Sequence, residues 1–236
     1  RLKTKWVAHP LQFFDSIDST NIRAKLEAEQ GAKSGLLVVS DMQSAGRGRR
    51  GRSWESPAGT NIYYTLMLKP DFSSDCAPML TLVMALAVAK GIRQTLRRDS
   101  EEAAAKVGIK WPNDIVVDGK KVCGILTEMS MEQGYIQHIV IGVGINVRKQ
   151  EFPEEIRDRA AAIDEQCGFR ISRSQLIADI MEAFEEDYEI FLQTHDLKGL
   201  RASYAELLVN QDREVCVLDP KGEYRGIARG INDHRY

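Results

Sequence analysis

The sequence predicts an α+β fold, in which a mixed, largely antiparallel sheet packs with helices and a small β-barrel begins near the C-terminus. Short apolar segments follow one another closely, and turn sequences such as Asp-Gly and Met-Glu-Gln-Gly stand between them. Strands this close in sequence pair with their neighbours, so a doubly wound parallel sheet is not expected. Long segments with apolar residues at helical spacing supply the helices that cover the sheet.

The first half of the chain alternates predicted strands and helices. The capping residues Asp18-Ser-Thr-Asn precede an Ala/Glu/Lys-rich helix that stops at Gly31. The segment before Leu96 is apolar on nearly every face, which indicates a buried helix. The predicted elements are strands at Leu11–Asp15, Leu36–Ser40 and Asn61–Leu68, and helices at Ile22–Gln30 and Pro78–Leu96.

The second half begins with a group of short strands and continues into helices. Strands are predicted at Gly108–Trp111, Ile115–Val117, Val122–Met129 and Tyr135–Val147, and helices at Arg173–Thr194 and Leu197–Leu208. The strands Glu214–Leu218 and Glu223–Arg229, joined by the turn Asp219-Pro-Lys-Gly, begin an SH3-like barrel that is truncated at Tyr236. Two domains are therefore predicted, a catalytic domain over residues 1–210 and the start of the barrel domain over residues 211–236.

Composition argues against several classes of protein. Hydrophobic residues make up 43% of the 236 residues and charged residues 28%, values that are ordinary for a globular protein. No apolar run approaches the roughly 20 residues of a membrane span. The four cysteines form no C-x-x-C pair and the four histidines no ligand spacing, so we expect reduced thiols, a cytoplasmic location and no structural zinc. Position 1 is not methionine, so a segment upstream is expected to be missing.

The most unusual segment, Gly46–Trp54, reads Gly-Arg-Gly-Arg-Arg-Gly-Arg-Ser-Trp, in a chain with a net charge of only −2. We call it the arginine loop. Arginine grips phosphate or carboxylate through paired hydrogen bonds, and glycine lets the backbone approach a ligand closely, so the pattern predicts a mobile anion-binding loop. The alternative is a solvated basic face. The segment also matches G-x-G-x-x-G, but Pro57 and Gly59 stand where a dinucleotide-binding helix should run.

Three further segments carry groups that suit the same site. Ser19-Thr20-Asn21 lies at a predicted helix start, where backbone N–H groups favour an anion, although a plain N-cap is the alternative. Lys110-Trp-Pro-Asn-Asp114 places a cation and a carboxylate around a turn, and an ordinary Asx turn is its alternative. Lys121 begins a strand in which Gly124 leaves room above the backbone, although a lysine at a strand start is commonly solvated.

Together these motifs resemble those of the biotin protein ligases, also called biotin–[acetyl-CoA carboxylase] ligases, whose catalytic fold is shared with class II tRNA synthetases. The resemblance extends over about residues 11–230, in family order and spacing. Lipoate ligases share the fold but lack the arginine loop. The matching motifs are Asp-Ser-Thr-Asn at 18–21, Gln-Ser-Ala-Gly-Arg-Gly-Arg-Arg-Gly-Arg-Ser-Trp at 43–54, Lys-Trp-Pro-Asn-Asp at 110–114, Lys-Val-Cys-Gly-Ile-Leu at 121–126 and Gly-Val-Gly-Ile-Asn-Val at 142–147.

The resemblance implies an ATP-dependent reaction in which biotin becomes biotinyl-5′-AMP and then passes to a lysine of a biotin carboxyl carrier protein. It assigns Lys121 and Arg49 as catalytic, and Asp114 as a contact to Mg²⁺ carried by ATP. The implied biotin-binding residues are Ser19, Thr20, Asn21, Gln43, Arg47, Gly48, Arg49, Lys121 and Gly124. The implied nucleotide-binding residues are Arg49, Arg50, Arg52, Trp54, Lys110, Asn113, Asp114 and Asn146, with packing of the loop as an alternative role for Trp54.

The resemblance also bears on partners. Family members often form a homodimer through a sheet edge, and many carry an N-terminal helix-turn-helix domain. We expect DNA binding only if such a domain lies upstream, and we expect no membrane partner. The alternatives are a biotin-sensing transcriptional repressor, a lipoate–protein ligase and, on the G-x-G-x-x-G match alone, a nicotinamide dehydrogenase.

Overall fold

Closely spaced strands form one large sheet, and apolar helices pack against it. The computed structural model describes residues 2–219 and 222–233. The strands are β1 Leu11–Phe14, β2 Leu37–Ser40, β3 Ile62–Leu68, β4 Val107–Lys110, β5 Asp114–Val117, β6 Lys120–Glu132, β7 Tyr135–Ile145, β8 Glu214–Asp219 and β9 Gly222–Ile227. The α-helices are α1 Thr20–Glu29, α2 Met79–Arg97, α3 Glu101–Ala105, α4 Ile163–Cys167, α5 Arg173–Thr194 and α6 Arg201–Leu207.

Seven strands form a mixed sheet in the order β1-β2-β3-β7-β6-β5-β4. Only the pair β1–β2 is parallel, and the other five pairs are antiparallel. The prediction of a mixed, largely antiparallel sheet is therefore confirmed. From β4 to β7 the antiparallel pairing follows from the short connections, since a parallel pair would need a long crossover.

The turns predicted to join β5 to β6 and β6 to β7 are tight and have the left-handed backbone that such hairpins need. Asp118 and Gly119 have φ of 50° and 76°, and Gln133 and Gly134 have φ of 50° and 87°. Two consecutive residues with positive φ are typical of a type I′ hairpin turn. The resulting β6–β7 hairpin crosses the middle of the sheet and places Gly124 opposite Gly144.

The two faces of the sheet are covered unequally. Helices α2 and α5 belong to the large core on one face, while α1 packs through Ala24 and Ala28 on the other. In β2, Leu37 and Val39 point into the first core and Val38 into the second, so this strand is buried on both sides. The segment Ser74–Arg97 is long and apolar enough to cross a membrane by composition, but 72% of its apolar window is buried inside the protein.

The structure also corrects several predicted boundaries. Strand β6 extends beyond the predicted Val122–Met129, and helices α3 and α4 were not predicted. The helix predicted over Leu197–Leu208 begins only at Arg201, because the Asp196 carboxylate accepts the N–H of Lys198 and forms a turn there. Strands β8 and β9 pair antiparallel, which is compatible with the start of a small barrel. Pro220 and Lys221 of the predicted turn between them lie outside the described residues.

Candidate functional site

A cleft of about 710 Å³ lies over the β6–β7 hairpin and beneath the arginine loop. It brings together every site residue that the sequence suggested. These residues are Ser19, Thr20, Asn21, Gln43, Arg47, Gly48, Arg49, Arg50, Arg52, Trp54, Lys110, Asn113, Asp114, Lys121, Gly124 and Asn146. They come from separate segments between residues 19 and 146, so their convergence is produced by the fold.

One end of the cleft is formed by Ser19, Thr20, Asn21 and Gln43, which we call the socket. The side chain of Ser19 makes no capping hydrogen bond to helix α1. Instead, the Gln43 Oε1 atom accepts the backbone N–H of Thr20 at 2.9 Å and its hydroxyl at 3.0 Å. Ser19 therefore occupies the N-cap position of α1, but a glutamine from a distant loop, and not the Ser19 side chain, bonds the helix start.

Asn21 is buried in the socket and packs against β7 where that strand has a glycine and so no side chain. A Cβ atom on Gly142 of β7 would lie 2.0 Å from the Asn21 Oδ1 atom, so glycine is required there. The hydroxyl of Thr65 donates to the same Oδ1 atom at 2.6 Å. The Asn21 Nδ2 atom donates to Glu128 at 2.8 Å. The socket is therefore held from β3, β6 and β7 at once.

The arginine loop closes on itself without forming a helix. Gly48 donates its N–H to the carbonyl of Arg52 at 2.7 Å, and Trp54 donates to Gly46 at 2.9 Å. A short 3-10 turn covers Arg49–Gly51, and the next strand or α-helix along the chain is β3. A dinucleotide fingerprint needs a helix directly after its last glycine, so the nicotinamide interpretation is wrong.

Trp54 anchors the end of the arginine loop on the β6–β7 hairpin. A Cβ atom on Gly144 would lie 2.5 Å from the Trp54 Nε1 atom, and one on Gly124 would lie 3.0 Å from its ring. The paired glycines form a flat trough that the indole fills. The Nε1 atom is buried and has no hydrogen-bond partner among the described residues. Packing of the loop, the alternative role for Trp54, is thus observed.

The Lys110–Asp114 motif connects the arginine loop to β6. Asn113 exchanges hydrogen bonds with Ile125, through its Nδ2 atom at 3.0 Å and its backbone carbonyl at 3.1 Å. The Asn113 Oδ1 atom accepts from Arg49 at 2.6 Å. Asp114 pairs with the Lys121 Nζ atom at 2.7 Å. These contacts exceed those of an ordinary Asx turn and bring four predicted site residues into contact as two pairs, Arg49 with Asn113 and Asp114 with Lys121.

The cleft concentrates positive charge. Its lining includes seven Lys or Arg residues and two Asp residues, whereas the whole chain has a net charge of −2. The seven cations are Arg47, Arg49, Arg50, Arg52, Lys110, Lys121 and Arg159. Walls of one charge sign focus the electrostatic potential inside a cleft and attract anions. The arrangement is therefore suited to a ligand with several negative charges.

Some residues of the site were missed by sequence reasoning. Arg159, Asp158 and Ile156 line the cleft from the connection before α4, which is fixed to β6 by a 2.7 Å hydrogen bond from the Lys121 N–H to the Arg159 carbonyl. No periodicity or motif marked that connection. Glu128 was also missed, although it bonds both Asn21 and Lys25. Burial alone would raise the pKa of Glu128, but the hydrogen bonds from Asn21 and Lys25 lower it below its usual value.

The carboxylates of the cleft are few for a metal site. Among the described residues, no group of three or more His, Cys, Asp or Glu side chains is placed to hold a metal ion. Asp114 follows the predicted nucleotide-binding residue Asn113 and pairs with Lys121, which is predicted to be catalytic. The four cysteines are unpaired.

Comparison with known proteins gives consistent matches. The sequence model of the Biotin/lipoate A/B protein ligase family matches residues 13–146. The chain is 36% identical over 234 residues to the Bifunctional ligase/repressor BirA of Bacillus subtilis, covering 98% of this chain and 70% of that protein. It is 30% identical over 219 residues to the biotin–[acetyl-CoA-carboxylase] ligase of Paracoccus denitrificans, covering 92% and 88%.

Solved structures agree with the sequence matches. The fold superposes on biotin protein ligase from Aquifex aeolicus in complex with biotin and ATP with a TM-score of 0.78 and 28% identity. That match covers 94% of this chain and 88% of the Aquifex chain.

Proposed function

Because the chain belongs to the Biotin/lipoate A/B protein ligase family, we propose that its cleft joins biotin to AMP and then to a carrier lysine. The protein is a biotin–protein ligase. The observation that carries the site assignment is the convergence of sixteen predicted residues in one cleft whose lining has seven cations and two carboxylates.

In the first half-reaction, the biotin carboxylate attacks the α-phosphorus of ATP, and pyrophosphate leaves as biotinyl-5′-AMP forms. Two anions must meet. At about 4 Å and an effective dielectric near 20, a pair of unit charges repels by on the order of 4 kcal/mol. Cations placed at the reacting oxygens remove this repulsion and stabilise the charge that accumulates in the transition state. The reaction thus requires the positive charge that the lining of the cleft provides.

We assign the central charge to Lys121. Its Nζ atom points into the cleft beside Asp114, with 35% of the side chain exposed. From there it can reach both the biotin carboxylate and the α-phosphate. Arg47, Gly48 and Arg49 wrap the carboxylate and the phosphate that it joins. Arg49 is fixed on Asn113. The Arg47 side chain is 48% exposed and lies 3.6 Å from Glu128, a long contact that lets it turn toward an incoming anion.

The remaining residues divide between the two substrates. The socket, with Gly124, holds the ureido head and nearby atoms of biotin. The nucleotide is bordered by Arg50, Arg52, Trp54, Lys110, Asn113, Asp114 and Asn146. Mg²⁺ is proposed to arrive with ATP, since a cleft lined by only two carboxylates suits an ion that keeps phosphate and water ligands. Asp114 is its proposed protein contact.

In the second half-reaction, the amine of a carrier lysine attacks the acyl carbon of the adenylate, an amide forms and AMP leaves. The proposed partner is a biotin carboxyl carrier protein of acetyl-CoA carboxylase or a related biotin enzyme. The mixed anhydride hydrolyses if water enters, so closure of the arginine loop over the intermediate would protect it.

Several broader assignments are proposals that rest on the family. They are a catalytic domain over residues 1–210, a barrel domain that starts at residue 211, a cytoplasmic location and a homodimer. A second function, biotin-dependent repression, is favoured by the printed name of the Bacillus relative, which is a ligase/repressor. A gel-shift assay on the protein encoded by the whole gene, with biotin and ATP present, tests it.

The function itself is tested by ATP–pyrophosphate exchange with biotin or lipoate as the acid. We expect exchange that depends on biotin and is absent with lipoate. Exchange with lipoate alone would assign the chain to the lipoate ligases, and exchange with neither acid would contradict adenylate formation.

A further inference from the structure

Glu128 lies outside the lining of the cleft and contacts both the socket and the arginine loop. It accepts from the Asn21 Nδ2 atom in the socket at 2.8 Å and from Lys25 at 2.8 Å. On its other side, a guanidinium nitrogen of Arg47 lies 3.6 Å away. The Glu128 side chain is only 21% exposed, so these neighbours replace much of its hydration.

The contact with Asn21 has a directional consequence. An ionised carboxylate only accepts hydrogen bonds, whereas a side-chain amide donates from one end and accepts at the other. Glu128 therefore selects the orientation in which Asn21 presents its Nδ2 atom to β6. The Oδ1 atom then faces Thr65 and the open backbone of Gly142.

Without an acceptor at position 128, this selection would be lost. The Thr65 hydroxyl can donate or accept, so it would satisfy either end of the Asn21 amide. Asn21 is buried and borders the cleft, where a reversed amide would present a donor in place of an acceptor. A ligand with a cyclic urea, which has donors and an acceptor at fixed positions, would be sensitive to that reversal.

The contact between Glu128 and Arg47 is weaker. Arg47 is half exposed, the distance of 3.6 Å from its guanidinium nitrogen to the Glu128 carboxylate is long, and exposed ion pairs are typically worth about 0–1 kcal/mol. If Glu128 acted mainly through Arg47, its loss would change the binding of the ligand's carboxylate. If Glu128 acts through Asn21, its loss weakens binding of the urea head of biotin and does not change binding of the biotin carboxylate.

We propose that Glu128 is a positioning residue that fixes the Asn21 amide and thereby sets the affinity of the socket for the urea head of biotin. This inference rests on the proposed function. It adds a residue that the motifs do not include and separates recognition of the head from the charge chemistry of the arginine loop.

The test compares Glu128→Met, which removes both acceptor oxygens, with Glu128→Gln, which keeps one. Glu132→Met is the matched control, since Glu132 is an exposed glutamate on the same strand. Each full protein is titrated calorimetrically with biotin and with biotinol, the neutral alcohol analogue. Pyrophosphate exchange gives kcat and the KM values, and thermal unfolding checks the fold.

We expect Glu128→Met to weaken biotin and biotinol equally, by about tenfold, or roughly 1.4 kcal/mol. Glu128→Gln should lose about threefold for both ligands, since one oxygen can still accept from Asn21. We expect kcat at saturating biotin, and the KM for ATP, to stay near wild type. The Glu132→Met protein should bind both ligands as wild type does.

Two results would overturn the inference. One is wild-type affinity in Glu128→Met, or in Glu128→Gln if the methionine variant does not fold. The other is a loss confined to biotin, because it would place the effect on Arg47. Failure of the wild-type protein to bind biotin would instead contradict the proposed function, so the two failures are distinguishable.

Discussion

The socket and the arginine loop line the same cleft but are built in opposite ways. Ser19, Thr20 and Asn21 expose only 2%, 3% and 4% of their surface, whereas all four arginines of the loop are exposed. Buried polar groups need partners, and in the socket Gln43, Thr65 and Glu128 provide them. The difference indicates that recognition of shape depends on a preformed region, while neutralisation of charge depends on an adaptable one.

We expect the largest loss of activity on removal of Lys121, the proposed central cation of the cleft. Lys121→Ala removes the proposed central cation and leaves Asp114 facing the nucleotide without its 2.7 Å partner. We expect biotin-dependent pyrophosphate exchange to fall by about 100-fold or more, as on loss of other groups that stabilise a transition state. Calorimetric binding of biotinol and the thermal unfolding midpoint should stay near wild type.

The control is Lys120→Ala, which removes the neighbouring exposed lysine outside the lining of the cleft. It should exchange pyrophosphate as wild type does. Near-normal exchange by Lys121→Ala would remove Lys121 from its central role and place the chemistry on the arginines.

The next effect is on the socket. Gly142→Ala places a Cβ atom 2.0 Å from the Asn21 Oδ1 atom, which must then move. Overpacking of this kind typically costs about 1–3 kcal/mol, so we expect the KM for biotin to rise about tenfold or more. At saturating biotin, kcat should change much less. Steady-state pyrophosphate exchange over a range of biotin concentrations measures both.

Gly226→Ala serves as the control, since a Cβ atom there would meet nothing within 4 Å. If Gly142→Ala lowered kcat and left the KM for biotin unchanged, the division between socket and loop would be wrong.

We expect the smallest effect from ionic strength, which should change the binding of ATP more than the binding of biotinol. Raising the ionic strength from about 0.1 to 1 M shortens the screening length from about 10 to 3 Å. Exposed arginines are screened, whereas the buried contacts of the socket are not. We therefore expect the KM for ATP to rise several-fold while calorimetric affinity for neutral biotinol changes less than about twofold. An equal response of both ligands would show that the two regions are not electrostatically distinct.

Local composition explained more of the arginine loop than of the socket, whose four residues were assigned to biotin only through the resemblance to the ligase family. Glycines, arginines and the Trp54 anchor are contiguous, so their composition alone indicates an anion loop. Most strands were also predictable, because hairpin turns such as Asp118-Gly119 fix which neighbours pair.

The socket depends on contacts between residues far apart in sequence. Gln43 caps a helix that begins 23 positions earlier, and Glu128 bonds a residue 107 positions away. Neither contact has a local signature, since a glutamine or a strand glutamate is ordinarily solvated. The same holds for Arg159, which reaches the cleft only because its connection is fixed to the start of β6.

The central claim is that the socket is preformed and that the arginine loop becomes ordered on the ligand. Hydrogen exchange of the free protein and of its complex with biotinyl-adenylate tests this most directly. We expect amides of Gly46–Trp54 to gain protection in the complex, while those of α1 and of β6 near Glu128 are protected in both states. Equal protection of the arginine loop with and without ligand would contradict the account.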